Sequence, residues 1–222
     1  MIENFVFDMD GVLFDTERLC QRCSRIVAKS YGIEDAIDEI YPKTIGLNYA
    51  SIKKLYKEEI GKNFPYDEYR NKRNECVNKI ISEEGMPIKA GAYMLLEYLK
   101  TNRYKIALAT STSRDSVISH LNTAKMTEYF DVIITGDMVV NGKPDPEIYL
   151  KACEGLKVNP QNAVAIEDSP NGLKSASGAG LKTIMVEDMI PYTDSLKPFV
   201  SMNLKSLTDV FELLRKGELN LK

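Results

Sequence analysis

The chain of 222 residues has a single histidine, His120, no apolar run of membrane-spanning length and no basic excess. Each lack excludes something. One histidine rules out a histidine-rich metal centre. Without a long apolar run there is no reason to expect a membrane protein. The formal net charge is -3, so no positive field marks the chain as a nucleic-acid binder. The N-terminus has neither the basic end nor the apolar stretch of a signal peptide, and a cytoplasmic location is expected. Cysteine is scarce: Cys20, Cys23, Cys76 and Cys153. Cys20 and Cys23 form a C-x-x-C, but no second pair accompanies them and they fall in an expected helix, so plain reduced thiols are expected. Apolar residues make up 44% and charged residues 27%, as in ordinary globular proteins long enough to bury a sizeable core.

What is present is a pattern. Residues 4–8 form a short run, mostly apolar and without alternation, which reads as a strand covered on both faces. Residues 16–31 read as a helix, with Leu19, Cys23, Ile26 and Val27 at helical spacing. From there to about residue 85 the chain is polar and helical in pattern, with no convincing strand, punctuated by Pro42 and by Gly61 to Pro65. Short runs rich in Val and Ile then recur at 105–110, 130–135, 162–168 and 182–187. Helical segments separate or follow them at 91–101, 114–125, 145–156, 170–179 and 205–216. Alternation of this kind predicts an α/β fold: a doubly wound, Rossmann-like parallel sheet with helices on both faces. Residues 1–15 and 86–222 would form this core. Residues 16–85 would be a helical domain inserted after the first strand.

In open parallel sheets ligands bind at the carboxyl ends of the strands. The first strand delivers Asp8 and Asp10 there, in NFVFDMDGV. LATSTS delivers Thr110 and Ser111, and IEDSPNG delivers Glu167 and Asp168. GKPDPEIY places Lys143 just before a helix started by Pro146 near N1. Each has a bland alternative: Thr110 and Ser111 as caps of the helix from 114, Lys143 as a solvated loop residue, Asp168 or Ser169 as the cap of the helix from Pro170. Jointly the bland alternatives fare badly. Carboxylates about 5 Å apart repel by roughly 3 kcal/mol per pair at an effective dielectric of ~20. Such a cluster calls for a cation, and an all-oxygen set at a strand edge suits Mg²⁺ bridging to a phosphate. The lysine and hydroxyls would hold the anion's other oxygens.

These four motifs, in this order, resemble the haloacid dehalogenase superfamily, in the branch with a helical cap after strand 1. Within it the likeness is to small-molecule phosphatases, including pseudouridine-5'-phosphatases, and to β-phosphoglucomutases. The resemblance implies roles. Asp8 would be the nucleophile that becomes phosphorylated. Asp10 would be the general acid and then base. Gly11 would turn the chain and free backbone N–H groups for phosphate. Thr110 and the Ser111 backbone would bind the phosphoryl group, and Lys143 would offset charge on nucleophile and phosphate. Mg²⁺ would sit on Asp8, the Asp10 carbonyl and Asp168, with Glu167 direct or through water. The true dehalogenases and phosphonate hydrolases lack the second acid, so Asp10 points to phosphate esters. The mutases carry a cap histidine where this chain has Cys20. His120, in a core helix, reads as structural or surface.

Substrate choice would come from the cap, through Lys72 and Arg73 and through Glu17, Asn48 and Tyr49, with loop 44–48 lowering onto the substrate. The bland alternative for Lys72 and Arg73 is a solvated helix face. The expected activity is Mg²⁺-dependent hydrolysis of a small phosphorylated metabolite, such as a sugar phosphate or nucleotide-type ester. A β-phosphoglucomutase-like sugar phosphomutase is the alternative. A phospho-accepting signalling module is the distant one, since receiver domains are about half this length and carry their phosphoacceptor on a middle strand. No nucleic-acid or membrane partner is expected, and a monomer is.

Overall fold

The computed structural model describes residues 4–45 and 49–221. The chain divides into two compact units, one of residues 1–15 and 88–222, the other of residues 16–87.

The discontinuous unit is built on six parallel strands: β1 (Asn4–Phe7), β2 (Lys105–Ala109), β3 (Val132–Ile134), β4 (Ala163–Glu167), β5 (Lys182–Val186) and β6 (Met202–Leu204). Their order across the sheet is β3-β2-β1-β4-β5-β6. β1 pairs with β2 on one side and β4 on the other, Phe7 opposite both Leu108 and Ile166. All four residues of β1 are buried. That is why it reads as a continuous run rather than an alternating one. The helices of this unit are α5 (Ala92–Thr101), α6 (Arg114–Thr123), α7 (Glu147–Leu156), α8 (Pro170–Gly178) and α9 (Leu207–Lys216). Ile148, Tyr149, Ala152 and Cys153 of α7 and Ala176 of α8 pack on Val6, Ala107 and Ala165 in one apolar cluster. The small alanines at the centre of β2 and β4 let these helices approach the sheet closely.

The sheet and the sequence agree on five strands within a residue or two at each end. β6 went unforeseen. It has three residues, one of them Asn203, and pairs on one side only, so it leaves no periodic trace. Pro146 stands one residue ahead of α7, at its N-cap, rather than inside its first turn.

The contiguous unit is helical: α1 (Thr16–Ala28), α2 (Glu34–Thr44), α3 (Tyr49–Glu59) and α4 (Tyr66–Glu84). Its core is aromatic. Tyr56, Phe64, Tyr66 and Tyr69 are buried together, with Tyr31 against them. Tyr31 meets Phe64 and Tyr69 nearly edge-on, the arrangement favoured by ring quadrupoles. Helix α1 stops at Ala28 and a 3₁₀ turn carries the chain to Tyr31, where Gly32 takes a left-handed conformation. Pro42 does not end α2 but lies within its last turn, where only one backbone hydrogen bond is forgone. No disulfide links any of the four cysteines, and no described helix is long and apolar enough to cross a membrane.

The chain leaves the sheet unit and re-enters it at one place. Phe14 and Ile88 form an antiparallel bridge, and the Lys89 N–H donates to the Leu13 carbonyl at 2.9 Å.

Candidate active site

Strand register sets the site. After Phe7 the next residue, Asp8, comes level with the ends of both neighbouring strands, and its N–H donates to the Ile166 carbonyl at 3.0 Å. Asp8, Glu167 and Asp168 are all buried, and one carboxylate oxygen of each lies within 4.8 Å of the others. Lys143 lies among them. Its Nζ donates to Asp8 Oδ1 at 2.8 Å, to Glu167 Oε1 at 2.5 Å and to the Ala109 carbonyl at 3.0 Å. It also stands 5.2 Å from the Tyr149 ring centre.

Burial opposes charge at every one of these groups. Burial pushes the Asp8 carboxyl up to about 7, with Lys143 pulling the other way and Glu167 and Asp10 adding to the rise. Burial and then its acidic neighbours Glu167, Asp8 and Asp188 hold the Asp168 carboxyl well above the usual carboxylate range. Burial alone would pull Lys143 down, but the facing Asp8 and Glu167 outweigh it and the ammonium is held above its ordinary value.

Glu167 is held on both of its oxygens. Lys143 and the Tyr149 hydroxyl donate to Oε1, the latter at 2.7 Å. The Asp168 N–H, the Ser169 N–H and the Ser169 hydroxyl donate to Oε2. The same Ser169 hydroxyl accepts the Gly172 N–H and so caps α8. Gly172 must be glycine, because a Cβ there would collide with the Glu167 carboxylate. Gly11 must be too. Its φ is +80° and a Cβ would collide with the Asp168 carboxylate.

The hydroxyl-rich end of β2 divides its work. Thr110 is buried, its N–H donates to the Ile134 carbonyl, and its Oγ1 accepts the Thr112 N–H at 3.1 Å. Neither Thr110 nor Ser111 caps α6; Ser113 occupies that position. Asp10 Oδ2 accepts from the Thr112 hydroxyl at 2.7 Å. His120 lies within electrostatic reach of Asp10 and meets Phe14 edge-on. Burial lowers its pKa, with Asp10 opposing, and its buried Nδ1 meets no hydrogen-bond partner among the described residues.

Asp8, Lys143, Glu167 and Asp168 thus converge, with Asp10, Gly11 and Thr110 beside them. Tyr149 and Thr112 were not singled out from the sequence. Both lie inside the motifs GKPDPEIY and LATSTS, which was the only signal available. Asp188, next to Asp168 and ion-paired to Lys89 at 2.7 Å, left none.

In the helical unit the expected substrate residues separate. Lys72 pairs with Glu68 at 2.8 Å and lies over the Tyr31 ring. Tyr49 is exposed and bonds Asp67. Arg73 is half-buried, and its guanidinium donates to Asn74 Oδ1 at 2.9 Å. Tyr41 donates to Glu17 Oε2 at 3.1 Å. Asn48, with most of the expected mobile loop at 44–48, lies outside the described residues.

Residues 5–186 match the family of haloacid dehalogenase-like hydrolases. The chain belongs to that family. It is a phosphoric monoester hydrolase. A phosphorylated carbohydrates phosphatase of Thermotoga maritima is 36% identical over 82% of this chain and 84% of its own. A solved structure of β-phosphoglucomutase from Clostridium difficile is 27% identical, with a TM-score of 0.75 over 98% of this chain and 97% of its own. CbbY from Rhodobacter sphaeroides, solved in complex with phosphate, is 28% identical, with a TM-score of 0.73 over 95% of this chain and 96% of its own. This haloacid dehalogenase-like hydrolase is therefore similar both to phosphatases and to a mutase.

Proposed function

We propose that the chain is a Mg²⁺-dependent phosphatase of small phosphorylated carbohydrates, acting through a phosphoryl group held covalently on Asp8. The observation that carries this is the buried Asp8–Lys143 ion pair at the end of β1, flanked by Glu167 and Asp168. The name of the Thermotoga maritima relative supports the substrate class.

The site fits a divalent cation. Three buried carboxylates converge on one lysine, and the donors are all oxygen, as Mg²⁺ prefers. Asp8, Asp168 and the Asp10 carbonyl would hold it. Glu167, whose two oxygens already accept five hydrogen bonds, would act through water. When bound, Mg²⁺ would offset carboxylate charge and polarise a phosphoryl oxygen.

The chain's own groups supply the rest. An Asp8 oxygen attacks phosphorus, and the bond from phosphorus to the ester oxygen breaks. Asp10 gives its proton to that oxygen, and the alcohol leaves. Asp10, now ionised, takes a proton from water. The water oxygen attacks phosphorus, the Asp8–phosphorus bond breaks, and inorganic phosphate departs with Asp8 restored. Lys143 favours the ionised form of Asp8 against the burial that raises its pKa. Thr110 and backbone N–H groups near Gly11 bind the equatorial oxygens.

The helical unit would serve as the cap that selects the ester. Lys72 is engaged by Glu68 and Tyr31, so the reading rests on Arg73, which keeps donors for a second anionic group, and on Glu17 held by Tyr41.

The C. difficile neighbour favours a second reading, a sugar phosphomutase. Cys20, at the place where the mutases carry histidine, opposes it. The deciding measurement follows β-glucose-1-phosphate by NMR with Mg²⁺, with and without a glucose bisphosphate. Free phosphate, no bisphosphate dependence and silence in EDTA are expected. Rapid glucose-6-phosphate with little free phosphate would establish the mutase, and full activity in excess chelator would remove the metal.

A further inference from the structure

The hydroxyls of Thr110, Ser111, Thr112 and Ser113 follow one another, and that of Thr112 reaches the second acid. We infer that Thr112 is a positioning residue for general acid catalysis, holding the Asp10 carboxylate in the orientation from which it passes its proton.

The Thr112 hydroxyl donates to Asp10 Oδ2 at 2.7 Å across 102 residues of chain. Thr112 itself is fixed from both sides. Its N–H is bound by the Thr110 hydroxyl at 3.1 Å, and its carbonyl accepts the Gly136 N–H at 2.9 Å. Gly136 admits no side chain, because a Cβ there would collide with the Ser111 carbonyl. The backbone carrying the hydroxyl is therefore set by the ends of two strands, β2 and β3. A β-branched side chain on that backbone has few rotamers. A hydroxyl so placed holds Oδ2 and with it the orientation of the carboxylate. Misplacement of an acid by about 1 Å can cost on the order of 100-fold, so a hydroxyl that fixes its rotamer affects rate without touching phosphate.

The inference rests on Asp10 being the acid, and the test separates the two. Phenyl, 4-nitrophenyl and 2,4-dinitrophenyl phosphates leave progressively better without a proton. Their kcat/KM values cover the steps up to phosphorylation of Asp8. Thr112→Val, which keeps shape and loses the hydroxyl, should lower kcat/KM for phenyl phosphate by roughly 10- to 100-fold, within the range of general acid catalysis. For 2,4-dinitrophenyl phosphate the loss should be less than about threefold, within which the acid has little to contribute. Thr112→Ser should recover most of the phenyl phosphate activity. Asp10→Asn should show the same selectivity more steeply. If Thr112→Val slows all three esters equally, or none, Thr112 is not a positioning residue for the acid. If Asp10→Asn itself slows all three equally, the acid role of Asp10 fails, whatever Thr112 does.

Discussion

Asp8 is the residue for which burial and function conflict most. As the proposed nucleophile it must be ionised, yet its carboxyl is pushed up to about 7 by its surroundings. Asp8→Asn removes both the nucleophile and that penalty. It should abolish phosphate release and phosphoenzyme, while the melting temperature in chelator holds or rises. A fall of several degrees would show that the Lys143 ion pair outweighs the desolvation cost. Lys143→Met should behave in the opposite sense. It leaves Asp8 and Glu167 buried without their counter-ion, and a loss of about 3–5 kcal/mol is expected for breaking a buried pair, measured by urea denaturation in chelator. An unchanged midpoint would mean that the two carboxylates are protonated in its absence.

At the scale of elements, α8 shows how tightly a short helix can be specified. Pro170 starts it, Ser169 caps it and also braces Glu167, and Gly172 lets that carboxylate lie against the first turn. Two alanine substitutions in this one helix should therefore diverge. Gly172→Ala displaces Glu167 and should cost about 1–3 kcal/mol, as overpacking does, with activity lost. Gly178→Ala meets only the Pro146 Cβ at 3.8 Å, an ordinary contact, and should stabilise by about 0.4–1 kcal/mol. Equal effects on the denaturation midpoint would contradict the collision at Gly172. Most of this was readable in the sequence as a strand-end acid pair before a proline. What was not readable is side-chain partnership across the fold. Tyr149 donating to Glu167, and Thr112 to Asp10, join segments 18 and 102 residues apart. Neither has a periodicity. β6 escaped for the opposite reason, being too short to have one. Lys72 and Arg73 are adjacent, yet one is tied to Glu68 and the other half-buried, because neighbours on a helix point about 100° apart.

Across the whole molecule the acidic cluster links pH, metal and stability. Asp8 and Asp168 both hold protons more firmly folded than unfolded. Groups raised in this way support folding below the ordinary carboxylate range, and that support fades as pH rises through the folded value. For Asp8 the window runs from about 4, the ordinary carboxylate value, to about 7. Lys143 is also raised, but its window lies above its ordinary lysine value and does not enter. His120, lowered by burial, acts in the opposite sense within that window, so in chelator the melting temperature should fall with rising pH relative to Asp8→Asn, a comparison that cancels the histidine's part. The proposed Mg²⁺ would bind the ionised carboxylates, so the rise in melting temperature that it produces should grow over the same range. Differential scanning calorimetry at both ends of the window, with and without Mg²⁺, measures this. A metal effect that shrinks with pH would rule out carboxylate ligation.

The bridge between Phe14 and Ile88 turns residues 16–87 into a detachable cassette. The excursion begins and ends at one anchored point, where the Phe14–Ile88 bridge holds the two chain ends side by side. Loop-closure entropy grows slowly with length, at about 0.6 kcal/mol per doubling. The anchoring bridge and the Lys89–Leu13 hydrogen bond belong wholly to the sheet unit. A cassette of another size or sequence spliced at 15 and 88 should therefore leave the strand order and the acidic edge intact. With the helical unit in its proposed role, selection can then exchange the part that chooses the ester while the acidic edge stays as it is. A chimera carrying a foreign cassette between Asp15 and Ile88 should keep Mg²⁺-dependent turnover of 2,4-dinitrophenyl phosphate and change its ranking of sugar phosphates. Loss of turnover with the aryl ester would show that the sheet unit depends on its own insert.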